Sequence, residues 1–230
     1  MKTFKALSLL LCYPSDALQQ AIPEIETVLR DEGLLGPKRM QMLAPLLAKL
    51  RDRDLYEVQE RYVLLFDRSR TLSLNLFEHL HGESRDRGGA MVDLLQMYRD
   101  GGFDLGGTEL PDHLPVLLEF LSTRPLAEVC EILTDAGPIL IALGERLSRR
   151  ETPYAAVLEA LVAIAEADPQ MAEVETLLSV ADDDPEDLAA LDAVWAEAQV
   201  SFGPDPSAGC PVSRDLLARM DAAPDARAAS

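Results

Sequence analysis

Cysteine is scarce and scattered. Cys12, Cys130 and Cys210 are odd in number and form no C-x-x-C pair, which argues against a disulfide framework or zinc module and for a reducing compartment. Strand-like alternation of apolar and polar residues is missing, so a sheet is not expected. No apolar run approaches the roughly 18–20 residues that a membrane span requires. There is no G-x-S-x-G elbow, no P-loop and no G-x-G-x-x-G after a strand, so the usual nucleophile and phosphate-cradling arrangements have no sequence support. Lys and Arg are absent from Glu151 to Ser213.

That last gap reflects a wider asymmetry. Residues 1–90 hold 13 Lys and Arg against 13 Asp and Glu, whereas residues 91–230 hold 8 against 27, which accounts for the net charge of −19. Such a field repels nucleic-acid phosphates and anionic lipid and attracts cationic segments. Nucleic acid and stable membrane insertion are therefore excluded as expectations. The plain alternative is a surface kept acidic for solubility.

What the chain does have is helical periodicity. At 230 residues it fits one large domain or two small ones, and one domain of this size buries roughly 70–75% of its unfolded surface. Phe4, Leu7 and Leu11 share a face of a first helix closed by Pro14. The short apolar run in MKTFKALSLLLCYPSDA, with Asp16 where a neutral cleavage site would fall, reads as a retained helix and not as a secretory signal. DALQQAI and PEIETVLRDE follow, with Pro23 as a kink or a fresh start; then PKRMQMLAPLLAKLRD, opened by Pro37; then LYEVQERYVLLFD. A polar interval leads to a helix starting near Ser84 or Asp86, in which Met91, Leu94, Leu95 and Tyr98 form the inner face. GGFDLGG reads as a flexible break. ELPDHLPVLLEFLS, PLAEVCEILTDAGPILIALGERLSRR, PYAAVLEALVAIAEA and EDLAALDAVWAEA complete the helices. The expectation is all-α: a single globular helical bundle over residues 1–202, with a flexible C-terminal tail over 203–230.

Two clusters carry the candidate chemistry. His79, His81 and Glu83 alternate, and in an extended segment His79 and His81 would face one side. With His113 they could bind zinc or iron as a metal-dependent enzyme. Helical metal sites such as H-E-x-x-H space their histidines by three or four, whereas His79 and His81 are two apart, so a structural or partner-contacting role stands beside the metal reading. In the second cluster, a helical wheel through ELPDHLPVLLEFL puts Leu110, Leu114, Leu117, Leu118 and Leu121 in the core. It puts Asp112, Val116 and Glu119 outward, with His113 and Phe120 at the edge. Two carboxylates around a valine suit a basic amphipathic peptide. The plain reading makes Asp112 a helix cap and Glu119 ordinary surface.

FEHLHGESRDRGGAMVDLL followed by ELPDHLPVLLEFLS resembles the NarJ-type chaperones of respiratory nitrate reductase, the delta subunit family within the TorD-like redox-enzyme maturation chaperones. TFKALSLLLCYPSDAL and YVLLFDRSRTLSLNLFEHLHGES resemble the same family. So does VWAEAQVSFGPD, where Ala198-Gln199 replaces an expected Glu-Pro pair. The resemblance spans roughly residues 3 to 203. It implies a cytoplasmic, non-enzymatic chaperone without a cofactor of its own, monomeric or a segment-exchanged dimer. Its implied partner is the apo form of the nitrate reductase alpha subunit, bound at its N-terminal leader-like segment while molybdenum cofactor is inserted, before membrane docking. The motif at Glu109, Pro111, Asp112 and His113 is linked in that family to leader recognition. Glu109, Asp112, His113, Val116, Glu119, His79 and His81 are thus the candidate peptide-binding residues.

Overall fold

The computed structural model describes residues 1–81, 85–106, 109–165 and 171–183, the side chains of His81 and Arg85 excepted. All of these belong to one compact unit, Met1–Asp187. Glu83, Ser84, the helix expected at EDLAALDAVWAEA and the tail boundary at residue 202 lie outside the described residues. Among those described there are eleven α-helices and no strand: α1 Lys2–Leu10, α2 Asp16–Glu32, α3 Gly36–Asp52, α4 Leu55–Tyr62, α5 Leu76–His81, α6 Arg85–Asp100, α7 Leu114–Leu121, α8 Leu126–Asp135, α9 Gly137–Arg149, α10 Ala155–Ala165 and α11 Met171–Leu178. None is long and apolar enough to cross a membrane.

Local chemistry explains most of the boundaries. Ser15 caps α2 through its side chain, and Gly33, at φ 69°, ends it in the left-handed region. Pro23 does not restart a helix: α2 runs through it, held by Ile22, Ile25 and Leu29 in the core. Tertiary burial outweighs the lost hydrogen bond. Asp54 caps α4, which passes into a wider turn over Val63–Asp67 where the Arg68 N–H donates to the Val63 carbonyl five residues back. The sequence PLAEVCEILTDAGPILIALGERLSRR divides into α8 and α9 at Ala136. Helix α11 has no counterpart in the periodicity reading.

The first helix is a core element, with Phe4, Leu7, Leu10 and Leu11 fully buried. It has no local side-chain cap; Glu32 supplies one from α2, accepting from the Lys2 and Thr3 N–H groups and the Thr3 hydroxyl. Burial raises the Glu32 pKa, but these hydrogen bonds outweigh it and hold the carboxyl below its ordinary value. Helices α1 and α7 pack antiparallel, with the Ser8 hydroxyl donating to the Pro115 carbonyl at 2.7 Å.

GGFDLGG is ordered at its start. Tyr98, Phe103 and Phe120 stack with centroids 4.8–5.9 Å apart. A Cβ on Gly101 would lie 2.6 Å from the Phe120 ring, so glycine is needed there for close approach. Phe120, expected at the edge, is wholly in the core.

A second polar centre lies far from α1. Arg146 on α9 is 2% exposed, yet its guanidinium is well partnered: to Asp182 at 2.9 Å and to the carbonyls of Thr71, Leu177 and Val180. Next to it, the Asp183 carboxylate accepts from the Thr71 N–H, the Thr71 hydroxyl and the Ser69 hydroxyl. This centre ties the end of α11 to the loop before α5. Arg146→Ala strands an acidic group and three carbonyls, so a loss of about 2–4 kcal/mol in urea unfolding is expected. Arg146→Lys should recover only part, because an ammonium lacks the planar fork.

Candidate functional site

The segment Glu109–His113 is not helical. Helix α7 begins at Leu114 with His113 as its N-cap residue and Pro115 in its first turn. The wheel phase therefore stops at Leu114, which changes two assignments made by extending it backwards. Leu110, expected in the core, is 45% exposed. Asp112, expected on an outward strip, is fully buried.

Asp112 faces α5. Its Oδ2 accepts from the Phe77 N–H at 3.0 Å, while its carbonyl accepts from the Leu76 N–H at 3.0 Å. The Leu114 N–H donates to the Leu74 carbonyl at 2.8 Å, giving an antiparallel bridge of Asn75 with His113. Asp112 is thus a cap, but for α5 and not for its own helix. Arg87 lies 4.0 Å from its Oδ2 and 3.2 Å from Glu78. Burial raises the Asp112 pKa, against the Phe77 N–H and Arg87, which favour its charge. The Tyr98 hydroxyl pins the same segment through the Pro111 carbonyl at 2.6 Å.

A turn closed by the His113 N–H on the Leu110 carbonyl leads into His113, which is itself extended. Asp112 turns inward, and His113 lines an open groove of about 420 Å³ together with Ser8, Cys12, Tyr13, Tyr62, Asp67, Glu109, Pro115, Val116 and Glu119. Four of the candidate residues, Glu109, His113, Val116 and Glu119, meet there. Asp112 and His79 do not line it.

The groove has an apolar and aromatic wall and an acidic one. Tyr13 and Tyr62 meet edge to face at 5.6 Å, and the Tyr62 hydroxyl is fixed by the Leu11 carbonyl. Asp67, Glu109 and Glu119 supply three carboxylates, and among the described residues no Lys or Arg lines the groove. Asp67 was missed by sequence reading; the wide turn after α4 delivers it. Its carboxyl is pushed up by burial, with Glu109 adding to the effect and His113 opposing it. Burial, then Glu119 and Glu109, push the Cys12 thiol up to about 11, so it is a poor nucleophile near neutrality. Among the described residues His113 Nδ1 has no hydrogen-bond partner, and it sits 3.6 Å from Glu109.

His79 and His81 lie on α5, where residues two apart point about 200° apart; the extended geometry behind the metal reading is not present. His79 Nε2 is bonded to the Ser73 carbonyl at 2.8 Å. Among the described residues no three His, Cys, Asp or Glu side chains are arranged to hold a metal ion; Glu83 and the side chain of His81 lie outside them.

Two predictions follow from this geometry. Asp112→Ala removes the α5 cap and should cost about 1–3 kcal/mol in urea unfolding, whereas Asp112→Asn, which keeps an acceptor oxygen, should cost much less. Burial holds both His79 and His113 below the ordinary imidazole value of 6.5, outweighing the Ser73 carbonyl for His79 and Glu109, Asp112 and Asp67 for His113. The unfolded chain then takes up protons first, so stability present above 6.5 falls as pH drops below it. Imidazole NMR titrations, assigned with His81→Gln, should give midpoints below 6.5 for both; a midpoint at or above it contradicts the burial argument.

Comparison with known proteins places this architecture. Residues 15–160 match the family described as nitrate reductase delta subunit. The chain is 42% identical over 205 residues to the nitrate reductase molybdenum cofactor assembly chaperone NarJ of Escherichia coli K12, covering 88% of this chain and 86% of that one. It is 38% identical over 210 residues to the probable chaperone NarW of the same organism, covering 91% and 87%. Against the probable NarJ of Bacillus subtilis it is 28% identical over 167 residues, covering 71% and 88%. These relationships set aside the alternative of a metal-dependent enzyme. The chain belongs to the nitrate reductase delta subunit family, the NarJ-type molybdenum cofactor assembly chaperones, which are chaperones and not enzymes.

Proposed function

We propose that this chaperone acts in the cytoplasm on the apo alpha subunit of a nitrate reductase. It takes that subunit's N-terminal, leader-like segment into the groove between α1 and α7 and holds the client open to molybdenum cofactor insertion before membrane docking. The cofactor is the client's cargo. The observation that carries this reading is the composition of the groove: Asp67, Glu109 and Glu119 beside Val116, Pro115, Tyr13 and Tyr62.

A basic amphipathic segment matches both walls. Its apolar face removes Val116 and Tyr13 from water, at about 25 cal/mol per Å² of apolar surface, and its cations meet the carboxylates. Charge would mainly speed encounter, while the apolar contacts set residence time.

Calorimetric titration with a peptide from the alpha-subunit N-terminus tests the reading. Val116→Asp puts a charge on the apolar wall and should weaken binding at least about tenfold. Glu109→Gln should weaken it about two- to fivefold, and the loss should shrink as salt rises. Unchanged affinity in both variants, with unchanged melting, would remove the groove from this role.

A further inference from the structure

Three polar contacts run along the antiparallel seam of α1 and α7. The Met1 amino group donates to the Ser122 carbonyl, Lys5 Nζ lies 3.2 Å from Glu119 Oε1, and the Ser8 hydroxyl donates to the Pro115 carbonyl. The outer two end on backbone. The middle one joins two side chains that are 59% and 48% exposed, and Glu119 is also one of the three groove carboxylates.

The fold has little need of that ion pair. Helix α1 is anchored by Phe4, Leu7 and Leu10, all fully buried. An exposed pair shifts an equilibrium by at most about fivefold and exchanges readily. Its position matters more than its strength. Lys5 lies on α1 one turn before Ser8, and Glu119 lies on α7 one turn after Pro115, so the pair stands one turn along the seam from the Ser8–Pro115 contact. Among the described residues the ion partner of Glu109 is the imidazole of His113, at 3.6 Å, whose pKa burial lowers.

We infer that Lys5 is a built-in competitor for the groove: it fills the cation position at Glu119 when the groove is empty, and a cationic side chain of the occupant must displace it. This rests on the groove reading above and adds a threshold to it. A segment with an apolar face but no cation to replace Lys5 leaves the Lys5–Glu119 pair in place and gains only the apolar contacts. A basic segment takes Glu119 and releases Lys5 to water. The exchange costs a basic segment the Lys5–Glu119 pair and costs a merely apolar one nothing. The pair therefore sets a threshold for basic occupants and favours their release, Lys5 closing on Glu119 again as the client departs.

The test compares Lys5→Gln with Lys2→Gln, which makes the same charge change on the same helix, by titration with the alpha-subunit peptide at low salt. Lys5→Gln should bind about two- to fivefold more tightly than Lys2→Gln. Introduced into Glu119→Gln, it should bring no gain beyond that of Lys2→Gln in the same background. Equal affinities of Lys5→Gln and Lys2→Gln would overturn the inference, as would a gain that persists undiminished without Glu119. If Val116→Asp and Glu109→Gln bind as tightly as the parent chain, the groove reading falls and the competitor role falls with it. If those two lose affinity while Lys5→Gln behaves as Lys2→Gln, only the competitor role fails.

Discussion

The buried carboxylate of Asp112 fixes where α7 begins, and the groove depends on that start. Its bond to the Phe77 N–H and the paired backbone bonds of Leu76 and Leu114 clamp two segments that are far apart in the chain. A helix first turn carries unpaired N–H groups, and α5 has two of them, Leu76 and Phe77, satisfied by the carbonyl and carboxylate of Asp112. In return the turn that precedes α7 is held in place, with His113 extended and on the groove side. From that register Val116 and Glu119 follow at helical spacing along the groove wall. Glu32 does for α1 what Asp112 does for α5, capping a helix start from elsewhere in the chain.

The acidic character of the chain divides into two kinds. Glu109, Glu119 and Asp67 line the groove. Asp182 and Asp183 sit in the stretch without Lys or Arg and are consumed by Arg146, by Thr71 and Ser69, and, through the Asp183 carbonyl, by Arg150. An acidic run read as surface field therefore contains residues whose work is structural. The charge argument for a basic partner rests on the first kind alone.

Within continuous helices periodicity was a sound guide at most positions, though Phe120, expected at the edge of α7, is in the core and Met91 and Leu95, expected on the inner face of α6, are only half-buried. Leu94 and Tyr98 on α6, and Leu114, Leu117, Leu118 and Leu121 on α7, are buried as their spacing requires. It misled at Leu110 and Asp112, because the wheel was carried through residues that are not helical. Pro115 carried the missing signal: proline favours the first turn of a helix, so the two Leu-Pro steps at 110–111 and 114–115 mark an approach and a start. Asp67 and Arg146 had no comparable signal. One is aimed by a turn widened by a single residue, and the other becomes structural only when α11 and the loop before α5 close on it.

The all-helical class, the inward faces of most helices and the family-specific words around residues 77–95 and 109–122 were determined by the sequence itself. They depend on local spacing and residue type, which are written along the chain. Which of two adjacent residues enters the core, that Asp67 joins Glu109 and His113, and that Lys5 closes on Glu119 were decided only in the tertiary structure. Those relations join residues that are distant in sequence, and packing, which no local period encodes, brings them together.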